Sequence, residues 1–282
     1  MAVILKGSEV VNAMKETMTR EVEGLKKRGI QPQLAIVRLG ARAGDLAYER
    51  GAIKRCEAVG VQCKVYEFPE TAGQPELISQ VQAINEDRRI HGMLIFRPLP
   101  KHISEEAVKN VVSPQKDIDG LSPANIAKVF AGDEDGFAPC TPEAVLEVLD
   151  YYRISVPGKR VVVIGRSMVV GKPLAMMLLK RHATLTICHT RTRDLEAVGR
   201  SAEILIAAAG KAKMVTGAFV SDGATVIDVG INVDASGNLC GDVDFEKAEK
   251  IAGHITPVPG GVGTVTSSVL AKHVIRAAMQ NS

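Results

Sequence analysis

A strand, a glycine turn and a helix start follow one another in Lys159–Leu179, KRVVVIGRSMVVGKPLAMMLL, and together they can hold a phosphate. The β-branched run Val161 to Ile164 enters Gly165. The turn 166–170 leads to Gly171, and Pro173 opens an apolar run suited to a helix. Such a turn brings backbone N–H groups close to a pyrophosphate, and the helix start adds partial positive charge. Ser167 stands where the usual G-x-G-x-x-G pattern has its second glycine. These residues alone therefore fit either a dinucleotide site or an ordinary strand–helix turn.

A second group decides which dinucleotide would fit. The next strand ends in His189-Thr190-Arg191-Thr192-Arg193, and Asp194 comes only later. An acid at that strand end binds a ribose 2′-OH, whereas cations and hydroxyls suit a 2′-phosphate. Arg166 can converge on the same spot, and an arginine fork matches a phosphate dianion. The pattern predicts NADP rather than NAD, although a solvated basic loop would read the same. A third stretch, KDIDGLSPAN at 116–125, is a polar turn between apolar segments. Its composition alone fits a linker with a helix cap, and PCTP at 139–142 fits a helix start.

The elements that must position these residues alternate. Apolar spacing predicts helices over 8–28, 46–59, 74–87, 104–112, 143–151 and 266–279, with Asp45 capping the second. Strands are expected over 33–39, 61–68, 92–96, 159–164, 184–189, 204–209, 225–229 and 255–258. This alternation implies parallel sheets in an α/β protein, the second half being a Rossmann-like doubly wound sheet. Ligands in such sheets sit beyond the carboxyl ends of the strands. Those ends carry Gly165, His189 to Arg191, Gly210, Gly230 to Asn232, and PVPGGVG at 257–263.

The 282 residues suffice for two domains, and 46% hydrophobic with 24% charged residues is ordinary for a globular protein. A net charge of +3 without a dense basic cluster predicts no nucleic-acid partner. Five scattered cysteines without a C-x-x-C pair argue against a disulfide framework and against a metal site. No apolar segment is long enough to span a bilayer, and the N-terminus does not read as a signal peptide. The expected location is the cytoplasm.

Six phrases, in order and at matching spacing over essentially the whole chain, resemble the methylenetetrahydrofolate dehydrogenase/methenyltetrahydrofolate cyclohydrolase family. They are Lys116-Asp117-Ile118-Asp119-Gly120, Pro139-Cys140-Thr141-Pro142, the Gly165 turn, Asp228-Val229-Gly230-Ile231-Asn232, Gly241-Asp242-Val243, and the stretch from Ile255 to Gly263. The resemblance implies a folate-binding catalytic domain over 1–140, completed by a C-terminal helix at 266–282. A Rossmann-like NADP domain would cover 141–265, with a cleft between the two and a homodimer formed through the cofactor domain. It implies cofactor contacts at Gly165, Arg166, Ser167, Thr190 and Ile231, with Arg191 added by the basic strand end. It implies tetrahydrofolate one-carbon derivatives as substrates, held by Tyr48, Asp119, Pro259, Gly260 and Gly261.

The catalytic half departs from the family pattern. A tyrosine followed four residues later by lysine here reads Tyr48 and Ala52. The glutamine of Gln-Leu-Pro-Leu-Pro is Phe96, in Phe96-Arg97-Pro98-Leu99-Pro100. After PVPGGVG the family continues Pro-Met-Thr, and this chain has Thr264-Val265-Thr266. Lys54 lies about 200° round the helix from residue 52, so it is no substitute. Strand alternation sends Arg97 to the opposite face. Hydride transfer needs alignment and exclusion of water. Cyclohydrolysis gains from a group that moves protons. The expectation is an NADP-dependent methylenetetrahydrofolate dehydrogenase with weak or absent cyclohydrolase activity, and no certain catalytic side chain. The alternatives are a bifunctional enzyme using Lys54, Arg50 or Arg97, and a binding dimer without catalysis.

Overall fold

Parallel strands joined through helices recur twice along the chain, and each set builds its own core. The structure is a computed structural model that describes residues 2–280. The chain divides into two compact units. Residues 13–140 with 267–282 form one, and residues 1–12 with 141–266 form the other.

The unit of residues 13–140 holds a three-stranded sheet. Its strands are β2 (Gln33–Leu39), β3 (Gln62–Phe68) and β4 (Gly92–Ile95), in the order β3-β2-β4 and all parallel. The central strand β2 is buried along nearly all its length, which explains its continuous apolar run. Helix α1 (Gly7–Lys27) leads into this unit and buries Val11, Met18, Val22 and Leu25. Helices α2 (Ala43–Glu57) and α3 (Gln74–Glu86) connect the strands. Leu77, Val81 and Ile84 of α3 enter the core beside Ala35, Val37 and Ile95. Helix α4 (Glu105–Val111) is capped by Ser104, whose hydroxyl accepts the Ala107 N–H at 3.2 Å. Helix α5 (Pro123–Ala131) is capped likewise by Ser122 and closed by Gly132 in the left-handed region, at φ 80°.

The other unit holds six parallel strands. They are β1 (Val3–Ile4), β5 (Arg160–Ile164), β6 (Thr184–Cys188), β7 (Ile204–Ala207), β8 (Thr225–Asp228) and β11 (His254–Ile255). Their order is β1-β11-β8-β7-β5-β6. A small antiparallel hairpin pairs β9 (Asn232–Val233) with β10 (Leu239–Cys240). Helices α6 (Cys140–Tyr151), α7 (Gly171–Lys180), α8 (Leu195–Arg200) and α9 (Phe245–Ala248) complete the element order before α10 (Val262–Gln280). Val162, Ile164, Leu205, Val226 and Ile255 form the centre of this core.

Four details differ from the sequence reading. The first twelve residues belong to the six-stranded unit, not to the unit of residues 13–140. Strand β1 adds to the sheet edge through β11, with Leu5 N–H donating to the Ile255 carbonyl at 2.8 Å. Asp45 is not a cap, because α2 starts at Ala43 after Arg42. Asp45 instead pairs with Arg42 at 2.7 Å across the first turn. The last helix starts at Val262, inside the PVPGGVG phrase, four residues earlier than the spacing predicted. The 116–125 stretch is a buried, bonded turn that leads into α5, rather than a linker.

Candidate active site

Helix α2 carries Tyr48 and Ala52. It is fixed to the central strand by an ion pair that is almost dry. Arg38 Nε meets Glu49 Oε2 at 2.8 Å, with side chains 6% and 10% exposed. Arg38 also donates to the Gly40 carbonyl and reaches Glu67 at 2.9 Å. Breaking such a buried pair from one side costs about 3–5 kcal/mol. The pair therefore fixes the helix one residue beyond Tyr48.

Within that frame Ala52 is fully buried and Phe96 is 8% exposed. The Phe96 ring lies 5.8 Å from the Tyr48 ring, edge to face at 88°. Arg50 and Lys54 both lie on exposed positions of α2, in keeping with the helical spacing. Tyr48 keeps 37% of its surface open. Loss of hydration around the phenol, then the neighbouring Cys140 and Asp119, hold its pKa well above the ordinary value. At neutral pH it is a hydroxyl, not a phenolate.

Asp119 projects from a rigid turn. Asp117 at its base is 1% exposed and accepts three N–H groups. These come from Leu121 at 2.8 Å, Ser122 at 2.7 Å and the Asn125 side chain at 2.9 Å. Lys116 donates to the Ile84 and Asp87 carbonyls at 2.8 and 2.7 Å. Gly120 has φ 60°, and a side chain there would strike Pro139. Asp119 itself accepts the Cys140 N–H at 2.9 Å. Burial raises its pKa, while that N–H and the charge of Arg97 pull it back.

Arg97 corrects the sequence reading. Its Nη2 lies 3.6 Å from Asp119 Oδ2, on the side of the site and not on the opposite face. The strand ends at Ile95, so the alternation that would turn residue 97 away stops before it.

The six-stranded unit brings the remaining predicted residues to one edge. Ile164 and Cys188 are register partners, so the loops bearing Arg166 and Thr190 leave neighbouring strand ends. Ile231 follows β8, and Pro259 and Gly260 follow β11, which pairs with β8. Arg166, Ser167, Thr190, Arg191, Ile231, Pro259 and Gly260 are all exposed there. A dinucleotide fits this edge in one tested respect. Gly165 sits at φ 129°, and a side chain there would strike the Ala208 carbonyl. A side chain at Gly171 would strike the Gly165 carbonyl, so backbone alone closes the turn. The Ser167 hydroxyl accepts the Val170 N–H at 3.0 Å, which spends one lone pair on the turn itself. Gly261 is buried. The Gly7 N–H donates to the Gly260 carbonyl at 2.8 Å, which seats this loop on the start of α1.

Two buried acids hold this edge, and reading the sequence gave them no role. Asp228 accepts N–H groups from Gly230, Asp242 and Val243 at 2.9, 3.0 and 2.9 Å. Asp242 accepts those of Ala209, Gly210 and Lys211 at 2.6, 2.9 and 2.8 Å, with the Asn232 side chain at 2.9 Å. Burial lifts Asp228 to about 6. Their signal was the pair of phrases DVGIN and GDV, whose glycines pack on the two carboxylates.

Residues 5–119 match the family model of the tetrahydrofolate dehydrogenase/cyclohydrolase catalytic domain. Residues 139–282 match that of the same family's NAD(P)-binding domain. The chain belongs to the tetrahydrofolate dehydrogenase/cyclohydrolase family. It is 53% identical over 277 residues to the bifunctional protein FolD of Clostridium kluyveri, covering 98% of each. It is 54% identical over 280 residues to the bifunctional protein FolD of Clostridioides difficile, covering 99% of this chain and 98% of that one. The fold is similar to the bifunctional FolD enzyme of Campylobacter jejuni, with TM-score 0.97, 37% identity and full coverage of both chains. It is also similar to the Trypanosoma brucei dehydrogenase-cyclohydrolase complexed with NADP and an inhibitor, with TM-score 0.93 and 36% identity over 99% of this chain and 98% of that one. In this chain Ala52 and Phe96 are both buried, and the Phe96 ring meets Tyr48, which the sequence resemblance assigns to the substrate. Among the described residues no cluster could hold a metal ion, and no helix is long and apolar enough to cross a membrane.

Proposed function

We propose that this chain oxidises 5,10-methylenetetrahydrofolate to 5,10-methenyltetrahydrofolate, with NADP as partner and with little cyclohydrolase activity. The observation that carries the reading is the fully buried Ala52, with the Phe96 ring edge-on to Tyr48. In this reading the unit of residues 13–140 holds the folate. Tyr48 positions the pterin, and Asp119 takes the donors of its amino-pyrimidine edge. Pro259, Gly260 and Gly261 complete the substrate contacts.

NADP would be held by the turn of Gly165 to Ser167 and by Ile231. Arg166, Thr190 and Arg191 would face its 2′-phosphate, and no acid stands among those three positions. When bound it supplies the hydride acceptor. The protein's part is to align the rings and exclude water. The lone pair of a folate nitrogen can drive the hydride out, so no acid–base side chain is required. Hydrolysis adds water to the one-carbon unit and moves protons during ring opening. A proton-moving group there is typically worth about 100- to 10,000-fold, and an alanine beside an edge-on ring supplies none.

A bifunctional reading has the names of the curated relatives in its favour, and also Arg97, which reaches Asp119. Against it, a guanidinium does not deprotonate in proteins, so Arg97 cannot relay protons. Parallel assays of NADP reduction and methenyltetrahydrofolate hydrolysis on purified protein decide the matter. The expected result is dehydrogenase turnover with hydrolysis near the uncatalysed rate. Comparable rates would overturn the loss. The double variant Ala52→Lys with Phe96→Gln is expected to raise hydrolysis by about 100-fold or more.

We also infer a homodimer through the six-stranded unit. Strand β6 is an open edge there, and Ile187, Val233 and Leu239 are exposed at 37%, 67% and 46%. Light scattering that finds a monomer at micromolar concentration would refute it. The five free cysteines suit a reducing compartment such as the cytoplasm.

A further inference from the structure

The guanidinium of Arg97 is poorly spent within the protein. Its side chain is 22% exposed, and its partner is the 3.6 Å ion pair with Asp119. That separation is too long for a good hydrogen bond. Among the described residues it makes no hydrogen bond, although a guanidinium carries five N–H donors. Asp119 is different, because its Oδ1 already accepts the Cys140 N–H at 2.9 Å. The two side chains thus present acceptors and donors next to each other on one wall. Where the family pattern that the sequence resembles reads leucine, this chain carries the donor.

A 2-amino-4-oxo-pterin shows the complementary order along one edge. Its 2-amino group and N3–H are donors, and the oxygen on C4 beside them is an acceptor. We propose that Arg97 is a specificity-determining residue that donates to the C4 oxygen of the pterin while Asp119 accepts from the amino group and N3. The inference rests on the reading of Asp119 as the pterin-binding acid. It adds a choice that Asp119 cannot make alone. A 2,4-diaminopteridine keeps a donor at C2 but puts an amino group at C4, where it meets the guanidinium donor to donor. The site therefore accepts 4-oxo folates and rejects 4-amino ones, through a charge-assisted bond and not through shape. Arg97 also opposes the burial that raises the pKa of Asp119, which keeps the acceptor half available.

The test uses two matched tetrahydrofolate analogues, one 4-oxo and one 2,4-diamino. Each is titrated calorimetrically into wild type, Arg97→Leu and Arg97→Lys. Binding is read without NADP and without turnover, so it does not depend on either catalytic activity. Wild type is expected to prefer the 4-oxo analogue by about 10-fold or more, the value of one hydrogen bond to a charged group. Arg97→Leu should bind both within about threefold of each other, chiefly by losing affinity for the 4-oxo form. Arg97→Lys should keep the preference at reduced size, because one ammonium donor remains. Equal loss of both analogues in Arg97→Leu, with the preference intact, would show that Arg97 acts only through Asp119 and would overturn the proposal. So would a wild type with no preference. A wild type that binds neither analogue would refute the folate reading itself, and the inference with it.

Discussion

At the scale of single residues, the site turns on what Ala52 and Phe96 exclude. Both are buried, so a cation placed at 52 alone enters the protein without water around it. Ala52→Lys by itself should destabilise the protein by more than about 2 kcal/mol, because a buried charge lacks a partner. It should add little hydrolysis. Combined with it, Phe96→Gln is expected to recover about 1 kcal/mol of that loss. Urea denaturation of the two single variants and the double gives the cycle, and strict additivity would refute the coupling. The helix that carries Tyr48 and Ala52 was legible in the sequence because its spacing and its glycine stop are local, while the roles of Tyr48, Ala52 and Asp119 came from family resemblance. Arg97 was misplaced because strand alternation was extended past Ile95, where the strand ends. Asp228 and Asp242 were unread because a carboxylate that accepts backbone N–H groups has no signature apart from the loop it holds.

At the scale of elements, two fixings matter. Helix α2 is tied through Glu49 to Arg38, next to Tyr48. Glu49→Gln leaves Arg38 half-paired in a dry place and should cost about 3 kcal/mol. It should also raise the KM for folate while leaving that for NADP unchanged, as read in steady-state assays with each substrate varied. The second fixing is the Asp228 carboxylate under the β8 loop. Burial lifts it from an ordinary aspartate to about 6. Its folded pKa lies above its unfolded one, so the stability it contributes is complete below about pH 4 and lost as pH rises through 6. That loss is on the order of 2–3 kcal/mol. Asp228→Asn cannot titrate, so its stability should fall less than that of wild type between pH 4 and 7 in denaturant titrations. A parallel pair of curves would show that Asp228 does not titrate there. Strands β2 and β5 were legible, because buried parallel strands are runs of β-branched and apolar residues. Strands β1, β9 and β10 were missed, since two residues carry no period.

At the scale of the whole molecule, each unit is assembled from two separate stretches of chain. Sequence order suggested one contiguous cofactor domain and placed the first residues with the catalytic one. The pairing of Val3 with His254 joins residues about 250 positions apart, and no local pattern announces such a partner. The last helix was anticipated as returning to the first domain, on family resemblance alone. Its residues 267–280 belong to the unit of residues 13–140, and Val269, Leu270, Val274 and Ile275 are at most 1% exposed. A chain cut after Thr266 should therefore keep slow hydrogen exchange in β5, β7 and β8 and lose it in β2 and β4. Retained protection in β2 would show that this unit is stable without the helix.

The same arrangement separates the order of synthesis from the order of folding. Strands β2, β3 and β4 are made early, yet the helix that seals their unit is the last described element. The six-stranded unit also waits, because its edge strand β1 is made first and its partner β11 lies near the end. Each unit therefore closes only when two distant stretches of chain have both been made, so a chain stalled before β11 leaves both cores open.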